Sequence, residues 1–276
     1  MVGLDNVKEL VYEIYALLQI AQYRGDAGLH SQSHVYHMIF KGNPGTGKTT
    51  VARLLAKLFQ SMGLLSKGHL VEVERADLVG EYIGHTAQKT RELVKKALGG
   101  VLFVDEAYSL ARGGEKDFGK EAIDTLVKAM EDHRNQFVLI LAGYPLEIEM
   151  FMMTNPGLPS RFPIQMDFPD FTVDQLLQIA EGMARERDYV LLPQAVAKLK
   201  QNVLQERENT AHPFSNARYV RNMLERAIRN QAVRLLQQYP SASPTRQELV
   251  GIRAEDLKPL PATGNPSGPA FGWGFN

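Results

Sequence analysis

The sequence predicts an α/β fold, a mostly parallel sheet sandwiched by helices and followed by a small all-helical domain. Three observations carry that expectation. Short apolar runs alternate with amphipathic stretches up to about residue 170, a glycine-rich turn joins the first run to a helical pattern, and the strand signal fades after Pro169.

The first run, Val35-Tyr36-His37-Met38-Ile39-Phe40, reads as a strand, and Val51, Leu54, Leu55, Leu58, Phe59 and Met62 give the following segment one apolar face. Leu70 to Val73, Val101 to Val104, Phe137 to Ala142 and Ile164 to Phe168 read as further strands, separated by amphipathic segments around 50–62, 86–98, 119–132 and 146–153. Strands alternating with helices in this way pair in parallel, with the helices as crossovers on both faces. Beyond Pro169, Thr172-Val173-Asp174-Gln175 has the form of a capping box and Pro193 suits a first helical position. Ser215 precedes a long stretch with Val220, Leu224, Ile228 and Leu235 near helical spacing. The predicted organisation is an α/β nucleotide-binding domain over residues 1–170, a helical lid over 171–260 and a flexible tail over 261–276, where the prolines and glycines of 261–269 preclude a helix. No repeat of solenoid period is visible.

Composition narrows the function classes. At 276 residues the chain exceeds one typical domain. Lys+Arg 31 against Asp+Glu 31 leaves no net charge, so the electrostatic footprint of a dedicated nucleic-acid binder is missing and nucleic acid is not the expected partner. With no cysteine there are neither disulfides nor thiolate metal sites. The chain opens without a basic-then-apolar leader and contains no membrane-length apolar stretch, so a soluble cytoplasmic protein is expected.

Two motifs carry chemistry. Gly42-Asn43-Pro44-Gly45-Thr46-Gly47-Lys48-Thr49 has the spacing G-x-x-x-x-G-K-T of a P-loop, between an apolar run and a helix. Glycines let successive backbone N–H groups close around a polyphosphate where a Cβ would obstruct it. Pro44, Gly45, Thr46 and Gly47 form the expected cradle; Lys48 reaches the β- and γ-phosphates, Thr49 offers its hydroxyl to Mg²⁺, and Thr50 lies beside them at the positive end of the helix dipole. The second motif, Val101-Leu102-Phe103-Val104-Asp105-Glu106, delivers two carboxylates to the C-terminal end of a strand, which in parallel sheets faces the ligand crevice. Alone, such a pair is more often a solvated loop entry. Behind a P-loop it supplies what the loop lacks: Asp105 holds Mg²⁺ through water and Glu106 polarises the water that attacks the γ-phosphate. ATP and Mg²⁺ are therefore the expected cofactors.

Together with Gly80-Glu81-Tyr82-Ile83-Gly84-His85-Thr86-Ala87, Leu141-Ala142-Gly143-Tyr144, Asn155-Pro156-Gly157-Leu158-Pro159-Ser160-Arg161 and Ser215-Asn216-Ala217-Arg218, these motifs resemble the AAA+ ATPases of the CbxX/CfqX group, which includes red-type Rubisco activases and sporulation proteins. The resemblance covers nearly all of residues 2–258. Residues 67–70, 74–79 and 111–120 are most similar to the sporulation members.

The resemblance implies a homohexamer that hydrolyses ATP at subunit interfaces, with nucleotide between the large domain and the lid, and that threads or remodels a protein client. A role in spore maturation, in the mother-cell cytoplasm or forespore, follows from the same likeness; a Rubisco activase-like remodeller and an ATP-switched scaffold without pulling activity are the alternatives. From spacing alone Arg161 reads as a surface ion pair before a strand, but the resemblance puts the arginine finger there. Likewise it puts the phosphate-sensing lid arginine at Arg218 and adenine packing at Val2 and Gly3. Tyr82-Ile83-Gly84 resembles the client-gripping pore loop, where the bland reading is a tyrosine covering the sheet, and residues 112–120 suit a second pore loop or a solvated connection. Two departures stand out. Tyr144 lies near the position where many AAA+ proteins carry Asn, and its hydroxyl either positions water or only packs. The chain also starts almost at the adenine segment, whereas group members usually carry an N-terminal extension, so either that extension has been removed or regulation through it is absent.

Overall fold

The computed structural model describes residues 2–30, 34–82, 84–112, 118–155, 157–208 and 213–259. The predicted tail, residues 261–276, lies outside the described residues. By its internal contacts the chain divides into two units, Met1–Gln175 with Thr210–Arg218, and Leu176–Asn209 with Tyr219–Asn276.

The first part of the chain runs α1 (Asp5–Asp26), β1 (Met38–Gly42), α2 (Lys48–Ser61), β2 (Leu70–Val73), α3 (Arg75–Leu78), α4 (His85–Ala97), β3 (Val101–Val104), α5 (Gly119–Asp132), β4 (Val138–Gly143), α6 (Pro145–Thr154) and β5 (Ile164–Phe168). The five strands form one parallel sheet in the order β2-β3-β4-β1-β5. Every residue of β3 and β4 is buried, as expected of central strands covered on both faces. Helix α2 buries Val51, Leu55 and Phe59, and α5 buries Ile123, Leu126 and Met130, both at helical spacing. Ile123, Leu126 and Met130 share a core with Leu139, Leu141, Phe151 and Phe162. Full burial of one such side chain contributes about 1.5–3 kcal/mol.

Strand β1 begins three residues later than the apolar run suggests. Val35 is exposed, and the buried His37 spends its ring on the neighbouring strand, where Leu139 N–H donates to His37 Nδ1 at 2.9 Å. The imidazole thus occupies the place of a ladder acceptor, and pairing with β4 starts at Met38 opposite Ile140. Helix α1 is an element the sequence reading did not include.

The remainder runs α7 (Val173–Arg185), β6 (Val190–Leu191), α8 (Pro193–Glu208), α9 (Asn216–Gln238), α10 (Arg246–Val250) and β7 (Gly251–Ile252). The capping box forms as expected, with Thr172 N–H donating to Gln175 Oε1 at 2.8 Å and Gln175 N–H to Thr172 Oγ1 at 3.2 Å. Pro193 opens α8. Helices dominate the second unit, which also holds the short parallel pair β6–β7. Gln231 ties α10 and β7 to α9 by donating to the carbonyls of Glu248, Leu249 and Gly251. Arg234 grips the buried Asp256 with two 2.9 Å hydrogen bonds. No described helix is long and apolar enough to cross a membrane.

Candidate active site

The turn from β1 to α2 carries the phosphate-binding motif, and its shape depends on glycine. Gly45 has φ +71°, and a Cβ there would stand 2.2 Å from the Ser215 carbonyl oxygen and 2.7 Å from the Arg218 nitrogen. Any side chain would therefore drive the loop away from the start of α9. Gly47, at φ +98°, leads into α2. Thr46 is buried and donates its hydroxyl to Asn43 O at 2.8 Å. Lys48 Nζ donates to Gly42 O at 2.7 Å and Asn43 O at 2.9 Å. Burial lowers the Lys48 pKa; the Asp105 carboxylate opposes that shift, Arg218 adds to it, and Glu106 and Asp170 oppose it. Thr49 is partly buried and Thr50 exposed on the first turn of the helix.

Strand β3 ends one residue before the acidic pair. Asp105 N–H donates to Val73 O at 3.0 Å, extending the β2–β3 pairing, and Asp105 Oδ1 accepts from Glu106 N–H at 3.0 Å. Glu106 itself sits at φ +47°, a left-handed conformation that is strained for a residue with a Cβ and that recurs at active sites. Both carboxylates line a cavity of about 530 Å³ whose wall also includes Glu74, Arg75, Lys89 and Ser109. Tyr108 and Tyr144 pack with ring centroids 5.9 Å apart. Burial, then the Glu106 carboxylate, raises both phenol pKa values, so each hydroxyl keeps its proton and remains a donor.

The arrangement fits a magnesium nucleotide: a loop that a Cβ would fill, a partly buried ammonium held on loop carbonyls, and oxygen donors at Thr49 and Asp105. Among the described residues no group of three or more His, Cys, Asp or Glu is placed to hold a metal alone.

Comparison with known proteins agrees with this geometry. The profile of the ATPase family associated with various cellular activities (AAA) matches residues 38–170, and that of the AAA lid domain matches residues 172–267. Stage V sporulation protein K of Bacillus subtilis (strain 168) is 58% identical over 260 residues, 93% of this chain and 79% of that protein. The chain belongs to the AAA ATPase family. This AAA ATPase is also 46% identical over 258 residues to the chloroplastic ribulose bisphosphate carboxylase/oxygenase activase of Cyanidioschyzon merolae (strain NIES-3377 / 10D), covering 93% of this chain and 87% of that one. Protein CbbX of Cereibacter sphaeroides is 45% identical over 257 residues, with coverage of 93% and 82%. Among solved structures, the Thermotoga maritima RuvB Holliday junction branch migration motor superposes with a TM-score of 0.59 at 20% identity, covering 93% of this chain and 67% of that one, a likeness of fold. The group read from the sequence, and its leaning toward the sporulation member, are thus both found.

Val2 and Gly3 are partly buried; Leu4 Cδ1 comes within 3.6 Å of the place a Gly47 Cβ would take, so this segment lies against the P-loop. Arg218, expected on the lid, is on the first turn of α9 and groups with the first unit. Arg161 ends a short 3₁₀ turn, where its guanidinium donates to Glu131 Oε1 and to Gly157 O. Tyr82 is 65% exposed, with its ring edge-on to His85, and Gly84 follows at φ +83°. Ile83 lies outside the described residues, as do residues 113–117 of the second loop. Sequence reading missed Asn43, Asp170 and Glu131 as partners within the site and quoted Asn216 only as part of a motif. Their one signal was position, each beside or inside a segment already singled out.

Proposed function

We propose that this AAA ATPase binds ATP with Mg²⁺ on its P-loop, hydrolyses it with help from a neighbouring copy, and uses the cycle to remodel or thread a protein client. The observation that carries the reading is Lys48, whose partly buried ammonium rests on the Gly42 and Asn43 carbonyls within the field of Asp105 and Glu106. Phosphate oxygens offer that amine stronger, charge-assisted partners than neutral carbonyls do. Thr49 and Asp105 would hold Mg²⁺, Asp105 through water, and the ion supplies charge neutralisation on the phosphates. Glu106 orients a water and takes its proton as the γ-phosphoryl leaves ADP. Arg161 of a neighbouring copy stabilises the charge on the transferred group, an effect worth roughly 10³ to 10⁵ in rate in related systems.

On this reading residues 1–170 bind nucleotide, residues 171–260 form the lid, and a homohexameric ring presents Tyr82, Ile83 and Gly84 to an extended client. An aromatic ring packs against many sequences without selecting one. Spore maturation, in the mother-cell cytoplasm or forespore, is favoured over Rubisco activation by 58% identity to the sporulation relative against 46% to the activase. Stimulation of the ATPase by ribulose bisphosphate would reverse that preference. A scaffold that binds ATP without pulling loses nothing on Tyr82→Ala, whereas a remodeller loses client processing. The shared site is tested by specific ATPase activity against protein concentration: activity should fall on dilution, and a constant value down to monomer rules sharing out.

A further inference from the structure

We propose that Asp170 is a positioning residue that joins the P-loop to the first turn of α9, making phosphate occupancy at Lys48 and the placement of Arg218 one coupled event. The proposal rests on the nucleotide reading above and adds to it a route by which the site senses its own occupant.

Asp170 leaves the sheet two residues after β5, the strand paired with β1. Its carboxylate accepts from Asn43 Nδ2 at 3.0 and 3.1 Å and from Asn216 Nδ2 at 2.7 Å. On one side, Asn43 belongs to the P-loop, and its carbonyl is the oxygen shared by Lys48 Nζ and the Thr46 hydroxyl. On the other, Asn216 opens α9 two residues before Arg218. Asn216 is fully buried at φ +46°, a conformation asparagine tolerates better than most residues. Its amide also donates to Pro44 O and Phe214 O, and its oxygen accepts from Phe171 N–H at 3.0 Å. Backbone contact runs parallel to this relay, because Ala217 N–H donates to Gly45 O at 3.2 Å.

The chemistry asks for a carboxylate at position 170. Oδ1 accepts from both arms and Oδ2 from Asn43 alone, whereas an amide at this position would replace one of those oxygens with an N–H donor facing Asn43 or Asn216. When phosphate draws Lys48 away, the Asn43 carbonyl loses a charged donor while its side chain stays held by Asp170. Any shift of Asn43 is then passed to Asn216 and to the turn that carries Arg218. A contiguous hydrogen-bonded chain of this kind transmits a change only if its ends are energetically coupled, which is measurable.

The test is a double-mutant cycle on nucleotide preference. Calorimetry would give the affinities of MgATP and MgADP for the unmutated chain, Asp170→Ala, Arg218→Ala and the double variant. The expected result is that Arg218→Ala shrinks the ATP-over-ADP preference in the unmutated background but adds little once Asp170 is gone, a non-additivity of about fivefold or more. Additive effects, or an Asp170→Ala protein that melts earlier yet keeps its ATP-over-ADP ratio, overturn the proposal. Should Asp170→Ala fail to fold, Asn43→Ala removes only the P-loop arm, and the same cycle with Arg218→Ala decides on the same outcomes. No nucleotide uptake by the unmutated chain would sink the functional reading as well; uptake with additivity would sink this inference alone.

Discussion

Arg161 is tied to Glu131 across the first unit, the guanidinium donating to the carboxylate at 2.5 Å and to the Gly157 carbonyl at 2.7 Å. That hydrogen bond holds the Glu131 carboxyl below its usual range. Within one protomer Arg161 therefore already has an anion, and on the proposed shared site a neighbour's phosphate would have to compete with it. Glu131→Gln keeps the shape and removes the competing charge. Steady-state phosphate release by the assembled protein should rise, by less than about fivefold, because exposed ion pairs hold their partners weakly. A tenfold fall would mean that Glu131 supports Arg161 rather than competing for it.

Binding and chemistry should separate at two positions. Lys48→Ala removes the partly buried ammonium, and ATP affinity is expected to drop by about a hundredfold, as charge-assisted bonds to phosphate are lost. Glu106→Gln removes the proposed base and keeps the side chain's size, so binding should persist while turnover falls by about 10² to 10⁴. Calorimetry and phosphate release on the two variants distinguish these effects.

Acid stability should carry the mark of His37. Burial lowers its pKa from 6.5 to about 4, so the folded chain keeps the ring neutral while the unfolded chain takes up a proton below pH 6.5. The unfolded state then binds more protons, and stability, full above pH 6.5, is lost as the pH falls toward 4, by about 3 kcal/mol in all. Urea midpoints measured at pH 7.5, 6 and 4.5 should decline, and His37→Gln should make that decline shallower.

In the second unit, Asp256→Ala removes both 2.9 Å bonds of the Arg234 guanidinium, whose side chain is 11% exposed, and leaves it the longer contacts with Glu255 and Gln238 at 3.4 and 3.3 Å. Removing one partner of a buried pair costs about 3–5 kcal/mol. The thermal midpoint should therefore fall by several degrees in the variant.

Where burial sets the pattern, the sequence was legible. Leu70 to Val73, Val101 to Val104 and Ile164 to Phe168 were read with the bounds the strands have, since apolar runs between turn residues leave little alternative. Residues 35–37 were misread because His37 and Tyr36 are buried without being strand, and apolarity alone cannot show that a ring replaces a ladder carbonyl. Helix α1 escaped notice because only Val7 and Ile14 are buried along its length, which leaves no continuous apolar face. In the candidate site, Lys48, Asp105 and Glu106 stand out in the sequence because the chemistry proposed for them demands fixed spacing. Asp170 and Asn216 stand 46 residues apart, and Glu131 and Arg161 stand 30 apart. Polar pairs that meet only through the fold leave no periodicity to find.

Complementation between two crippled chains tests the central claim most directly. Arg161→Ala retains Glu106 but lends no cation, and Glu106→Gln lends the cation but has no base. Each alone should release phosphate at least about a hundredfold more slowly than the parent. After the two are unfolded together and refolded as one pool, sites pairing Glu106 of one copy with Arg161 of the other should restore a measurable fraction of the parental rate. A mixture as inactive as its components, or an Arg161→Ala chain that hydrolyses ATP as fast as the parent, would contradict the account.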